Sequence, residues 1–138
     1  MDFSFEISTI DELSIPAKKI ESLIKEHSIF IFDGEMGVGK TTFIGVICKL
    51  LKISSISSPT YSIVNNYYSP LVGEVYHFDC YRLKNEDEAI ESGLEEILDS
   101  GSPCFIEWAN KIQNLLPNKY VRIKIEQHNN IRNLIISI

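Results

Sequence analysis

Two glycines with four residues between them, then a lysine and two threonines, form the run Gly34-Glu35-Met36-Gly37-Val38-Gly39-Lys40-Thr41-Thr42. This is the complete pattern of a phosphate-cradling loop. Each part has a chemical reason. Glycines let the backbone reach left-handed angles and approach an anion closely. Successive N–H groups from Glu35 to Thr42 then point into one concavity, and the helix that follows presents its positive end to the same place. Lys40 can reach the outer phosphates of a nucleotide, and the Thr41 hydroxyl can ligate Mg²⁺. A loop of this kind needs an acid to hold the metal, commonly at the end of a neighbouring buried strand. Two residues qualify. Glu107 closes the apolar run Cys104-Phe105-Ile106, and Asp79 closes Val75-Tyr76-His77-Phe78. Thr60, after Ser58-Pro59, lies downstream of the loop's helix, where a threonine can sense a γ-phosphate.

The elements around these residues follow from periodicity. Residues 3–8 alternate and read as a strand. Thr9 and Glu12 have capping-box spacing, and Ile10, Leu13, Ala17, Ile20 and Ile24 mark one helical face. Pro16 is comfortable only in a first turn, which moves the expected helix start to about Ser14. Residues 28–32 form a short continuous apolar run, as in a strand buried on both faces. A helix over 40–51 should bury Phe43, Ile44, Ile47, Leu50 and Leu51. Residues 54–60 read as a loop, and 61–68 with 74–81 as a hairpin. The acidic stretch 85–100 is helical and broken by Gly93. A second buried strand is expected over 103–108, a short helix over 109–116, and an antiparallel hairpin from 120–127 and 131–138.

The expected architecture is therefore α/β. It is a three-layer sandwich like that of P-loop NTPases, with a mixed, partly parallel central sheet and antiparallel edge strands. The 138 residues fit one domain spanning 1–138. Acids at the N-terminus argue against a signal peptide, and no apolar run approaches the length of a membrane span, so a cytoplasmic location is expected without membrane attachment. Cys48, Cys80 and Cys104 are far apart, lie in apolar surroundings and form no C-x-x-C pair, which reads as buried thiols. Nineteen acidic residues against thirteen basic ones give a net charge of −6, which argues against a broad basic surface for nucleic acid. Service to RNA would then run through a partner.

A phosphate loop alone leaves the reaction open. Guanine reading by N-K-x-D is unsupported, because Asn118-Lys119 is followed by Tyr120 and Val121. A D-x-x-G after the second strand is also missing. A small-molecule kinase needs a mobile basic lid, and none stands out. The arginines are few, and of these Arg82 alone approaches a finger position. Kinase chemistry stays as the alternative to ATP hydrolysis.

Taken in order, GEMGVGKTTF, SSPTYSIVNNY, HFDCYRL, SGLEE and IEWAN closely resemble the bacterial TsaE family, also called YjeE. The resemblance runs from about residue 3 to residue 126. It implies a P-loop ATPase that helps make N6-threonylcarbamoyladenosine at position 37 of tRNAs reading codons that begin with A. It implies two protein partners, TsaB and TsaD, of which TsaD transfers the threonylcarbamoyl group while the ATPase resets or drives the complex. By position, the resemblance gives Lys40 the phosphates, Thr41 the Mg²⁺, and Thr42 a supporting role in the nucleotide site. Glu107 matches the Walker-B-type acid and Asp79 the second acid, near Mg²⁺ or the attacking water. Thr60 matches the switch threonine, and Trp108 should lie near the pocket. Glu35 stands where the family often has Asp, and Cys80 where Leu is usual; neither has a known chemical task.

Overall fold

The computed structural model describes residues 1–54 and 63–138. Seven strands form one sheet: β1 (Asp2–Ile7), β2 (Ile29–Asp33), β3 (Val64–Ser69), β4 (Gly73–Asp79), β5 (Cys104–Glu107), β6 (Val121–His128) and β7 (Ile131–Ser137), in the spatial order β1-β7-β6-β2-β5-β4-β3. The inner strands β6, β2, β5 and β4 run parallel, while β1, β7 and β3 pair antiparallel at the two margins. The expected mixed sheet with antiparallel edges is what forms. The four-residue apolar strand β5 is buried throughout, and β2 is buried up to its last residue. Strands this apolar suit the centre of a sheet covered on both faces.

Alternation along the inner strands divides the core into two layers. Phe30 and Phe32 of β2 and Phe105 of β5 face one side, where α1 (Ser14–Leu23) and α2 (Lys40–Leu50) pack. The Phe105 ring meets Phe30 and Phe32 edge-on at 5.6 and 5.9 Å, and Phe32 meets Phe43 of α2 at 6.0 Å. Ile29, Ile31, Cys104 and Ile106 face the other side, against α3 (Glu86–Glu91), α4 (Leu94–Leu98) and a 3₁₀ segment, Ala109–Leu115. Gly93 separates α3 from α4 as expected, and Asn85 caps α3 by accepting from Glu88 N–H at 3.0 Å.

Several local expectations need correction. Thr9 does not cap a helix with its side chain. It donates instead to Glu12 Oε1 at 3.2 Å and opens a separate 3₁₀ turn, Ile10–Leu13. The tighter turn takes Ile10 off the stripe of α1 and leaves it exposed, while Leu13 turns inward. Pro16 then sits in the first turn of α1, where its missing N–H costs nothing. In α2, Phe43, Ile44 and Ile47 are buried and Leu51 is buried just past the helix end; Leu50 is only partly covered, and Cys48 takes its share of the core. The strand expected over 103–108 ends at Glu107, because Trp108 turns into the left-handed region (φ 59°, ψ 44°). The helix expected over 109–116 is 3₁₀, with non-helical angles at Ile112. The expected loop 54–60 and the first two residues of the strand 61–68 lie outside the described residues, apart from Ser54. Among the described residues, no helix is long and apolar enough to cross a membrane.

Candidate nucleotide-binding site

The carboxyl ends of β2, β5 and β4 lie side by side, the usual location for ligands in an open α/β sheet. Register fixes what gathers there. Phe32 stands opposite Glu107, and Glu107 stands opposite Asp79. Asp79 and Glu107 share the strand parity of Val75 and Phe105, so both side chains emerge on the face that carries α2.

After Asp33 the chain enters the glycine loop and α2 begins at Lys40. Gly39, the residue before the helix, has φ 107°, a conformation that strains any residue with a Cβ. Val38 N–H donates to the Glu35 carbonyl at 3.2 Å and Phe43 N–H to the Gly39 carbonyl at 3.0 Å. The first helical N–H groups therefore open toward the concavity, where the positive end of α2 also points.

Lys40 is buried, with 5% exposure. Its Nζ donates to the Gly34 carbonyl at 2.7 Å and lies 3.7 Å from the centre of the Trp108 ring. Burial pushes the ammonium below the ordinary lysine range, and the charges of Glu107, Asp33 and Asp79 oppose that shift. The left-handed backbone at Trp108 brings the indole over Lys40, and the Tyr81 ring packs against the indole at a 53° tilt, with centroids 5.0 Å apart. Thr41 Oγ1 reaches both Glu107 oxygens, at 3.0 and 3.2 Å. Glu107 Oε2 also meets His77 Nε2 at 2.6 Å, with both residues buried. Asp79 Oδ1 accepts from Tyr81 N–H at 3.1 Å.

A cleft of about 320 Å³ joins these groups. It is lined by Met36, Gly37 and Gly39 of the loop, Lys40, Thr41 and Thr42 of α2, and Asp79, Glu107 and Trp108 from the strand ends. Glu35 and Val38, expected beside them, border a second cavity on the β6 side. The Val38 side chain packs into the core, so its residue type serves packing there. Thr60 lies outside the described residues.

The family model for "Threonylcarbamoyl adenosine biosynthesis protein TsaE" matches residues 7–134. The chain belongs to the TsaE family. Among TsaE proteins, that of Rickettsia bellii is 38% identical over 112 residues, covering 80% of this chain and 76% of the relative. That of Bacillus subtilis is 33% identical over 118 residues, covering 85% and 73%. The crystal structure of YdiB from Bacillus subtilis superposes with a TM-score of 0.80 at 26% identity, covering 99% of this chain and 84% of that one.

Within this TsaE-family site, three residues escaped the sequence reading. Tyr81 walls the cleft beside Trp108, and its place two residues after Asp79 was the available signal. His77 shares the strand face of Asp79, which alternation alone could have suggested. Arg132 comes from β7; its guanidinium lies against Gly39, with a buried Nε that has no hydrogen-bond partner among the described residues. Only the tertiary fold brings it there, so no local pattern could have found it.

Proposed function

We propose that this TsaE-family protein is a Mg²⁺-dependent ATPase that supports threonylcarbamoyladenosine formation on tRNA by acting on a complex of TsaB- and TsaD-type partners. The observation that carries the reading is the convergence of Lys40, Thr41, Glu107 and Asp79 at one end of the parallel strands, around the mouth of the glycine loop. The comparisons support the pathway, since the curated relatives bear the name tRNA threonylcarbamoyladenosine biosynthesis protein TsaE.

An all-oxygen set of one hydroxyl and two carboxylates suits a hard cation. Thr41 and Glu107 would hold Mg²⁺, with Asp79 beside them, and the ion would neutralise charge on the outer phosphate oxygens. Among the described residues, no group of three or more His, Cys, Asp or Glu is arranged to hold a metal unaided. Mg²⁺ commonly binds through one or two carboxylates plus substrate phosphates. The loop N–H groups and the start of α2 receive the phosphates. Lys40 exchanges the Gly34 carbonyl and the Trp108 face for the β- and γ-phosphates, which offsets the cost of its buried charge. Glu107 is committed to Thr41 and His77, so Asp79 orients the attacking water. That water adds to the γ-phosphorus as the bond to the β–γ bridging oxygen breaks, giving ADP and phosphate. Arg132, against Gly39, adds positive charge on the other flank of the loop.

Among the described residues no arginine lines the cleft beside Asp79 and Glu107, so the isolated protein turns over slowly and its partners complete the site or release ADP. ATP hydrolysis should be measured with the protein alone and then with TsaB- and TsaD-type proteins and tRNA. A rise on adding the partners is expected. An unchanged rate contradicts partner coupling, and rapid phosphorylation of a small acceptor by the protein alone would establish a kinase instead.

A further inference from the structure

We infer that His77 is a positioning residue that fixes the carboxylate of Glu107 for the metal–nucleotide site; this rests on the Mg²⁺–ATP reading above. His77 lies on β4 opposite Phe105 of β5, so Glu107 is its diagonal neighbour, on the same sheet face. The two side chains are 3% and 5% exposed, and Nε2 lies 2.6 Å from Oε2. A charge-assisted contact this short, out of water, is among the stronger hydrogen bonds a protein makes.

Glu107 is held from two sides. Thr41 Oγ1 approaches from α2, within reach of both oxygens, and His77 holds Oε2 from the sheet. A carboxylate tethered by Thr41 alone could turn about its terminal torsion, which is broad and weakly constrained. The His77 contact removes that freedom and leaves Oε1 toward Thr41. The imidazole must carry hydrogen on Nε2 to donate, and both its neutral Nε2–H tautomer and its cation do so. His77 is not itself a lining residue of the cleft, whereas Glu107 is, so the effect of His77 passes through Glu107. Carboxylates that ligate metals are usually oriented by such partners, whose loss costs about ten- to a hundred-fold in metal affinity or activity.

The test compares His77→Gln, His77→Asn and His77→Phe. Glutamine can place an N–H near the position of Nε2; asparagine is too short, and phenylalanine keeps the shape without the donor. ADP affinity is measured by calorimetry in EDTA, and the apparent Mg²⁺ affinity is then measured at saturating ADP. We expect His77→Phe and His77→Asn to weaken Mg²⁺ about ten- to a hundred-fold, with metal-free ADP affinity unchanged and His77→Gln close to wild type. In a Glu107→Gln background, His77→Phe should add no further loss, because the two residues act as one unit. Should His77→Phe fail to fold, His77→Asn carries the same expectation. Wild-type Mg²⁺ affinity in both His77→Phe and His77→Asn, or a loss in His77→Gln as large as in His77→Phe, overturns the inference. If Mg²⁺ has no effect on ADP binding to the wild-type protein, the metal reading itself fails and the inference with it.

Discussion

At the scale of single residues, the glycine loop is constrained by contacts as much as by dihedral angles. A Cβ on Gly34 would fall 2.7 Å from Val38 Cγ1 and 2.8 Å from the Ile125 carbonyl oxygen. Val38 is buried and Ile125 belongs to β6, so neither can step aside cheaply. Gly34→Ala should therefore destabilise by about 1–3 kcal/mol, the usual cost of overpacking. Gly45, inside α2, is the contrast: a Cβ there meets nothing within 4 Å. Gly45→Ala should stabilise by about 0.4–1 kcal/mol through the unfolded chain. Urea midpoints of the two variants check both signs. The three cysteines are buried and free, and burial pushes each thiol up to about 12, so they are poor nucleophiles at neutral pH. The residues of the loop and the two acids were legible in the sequence because their spacing is local. Thr41 was expected beside Glu107 through a shared Mg²⁺, but His77 was not, because it meets Glu107 only across strands.

At the scale of elements, the end of α2 is tied to the β3–β4 hairpin by one buried hydroxyl. Ser69 Oγ donates to the Leu51 carbonyl at 2.5 Å and accepts from Leu71 and Val72 N–H at 3.1 and 3.3 Å. Ser69→Ala leaves three backbone groups short of a partner and should cost about 1–3 kcal/mol, read from thermal or urea unfolding. Elements with a clean period were legible: the apolar runs of β2 and β5, the hairpins, and the buried stripe of α2. Boundaries were less so where backbone geometry competes with pattern. Ile10 fits an α-helical stripe by spacing, but Thr9 and Glu12 bond each other and set a 3₁₀ turn ahead of Ser14. Trp108 falls inside the strand expected over 103–108, yet its left-handed backbone ends β5 and turns the indole to Lys40.

At the scale of the whole molecule, the order β1-β7-β6-β2-β5-β4-β3 places the C-terminal hairpin between the N-terminal strand and β2. No local periodicity encodes that order, which comes from pairing residues as far apart as Asp2 and Ser137. It has a consequence for the site, because Arg132 of β7 reaches the loop only in this arrangement. The net charge of −6 argues against a broad basic surface for nucleic acid, which agrees with the proposed action on tRNA through protein partners. In the function proposed above, the cleft between the glycine loop, Asp79 and Glu107 holds Mg·ATP. Calorimetric titration of ATP into the wild-type protein and Lys40→Ala, each in Mg²⁺ and in EDTA, tests it most directly. One nucleotide is expected per wild-type chain, bound more tightly with Mg²⁺, with a loss of about ten- to a hundred-fold in Lys40→Ala from removing a charged contact to phosphate. Equal affinity of the two proteins for ATP, or a wild-type chain indifferent to Mg²⁺, would contradict it.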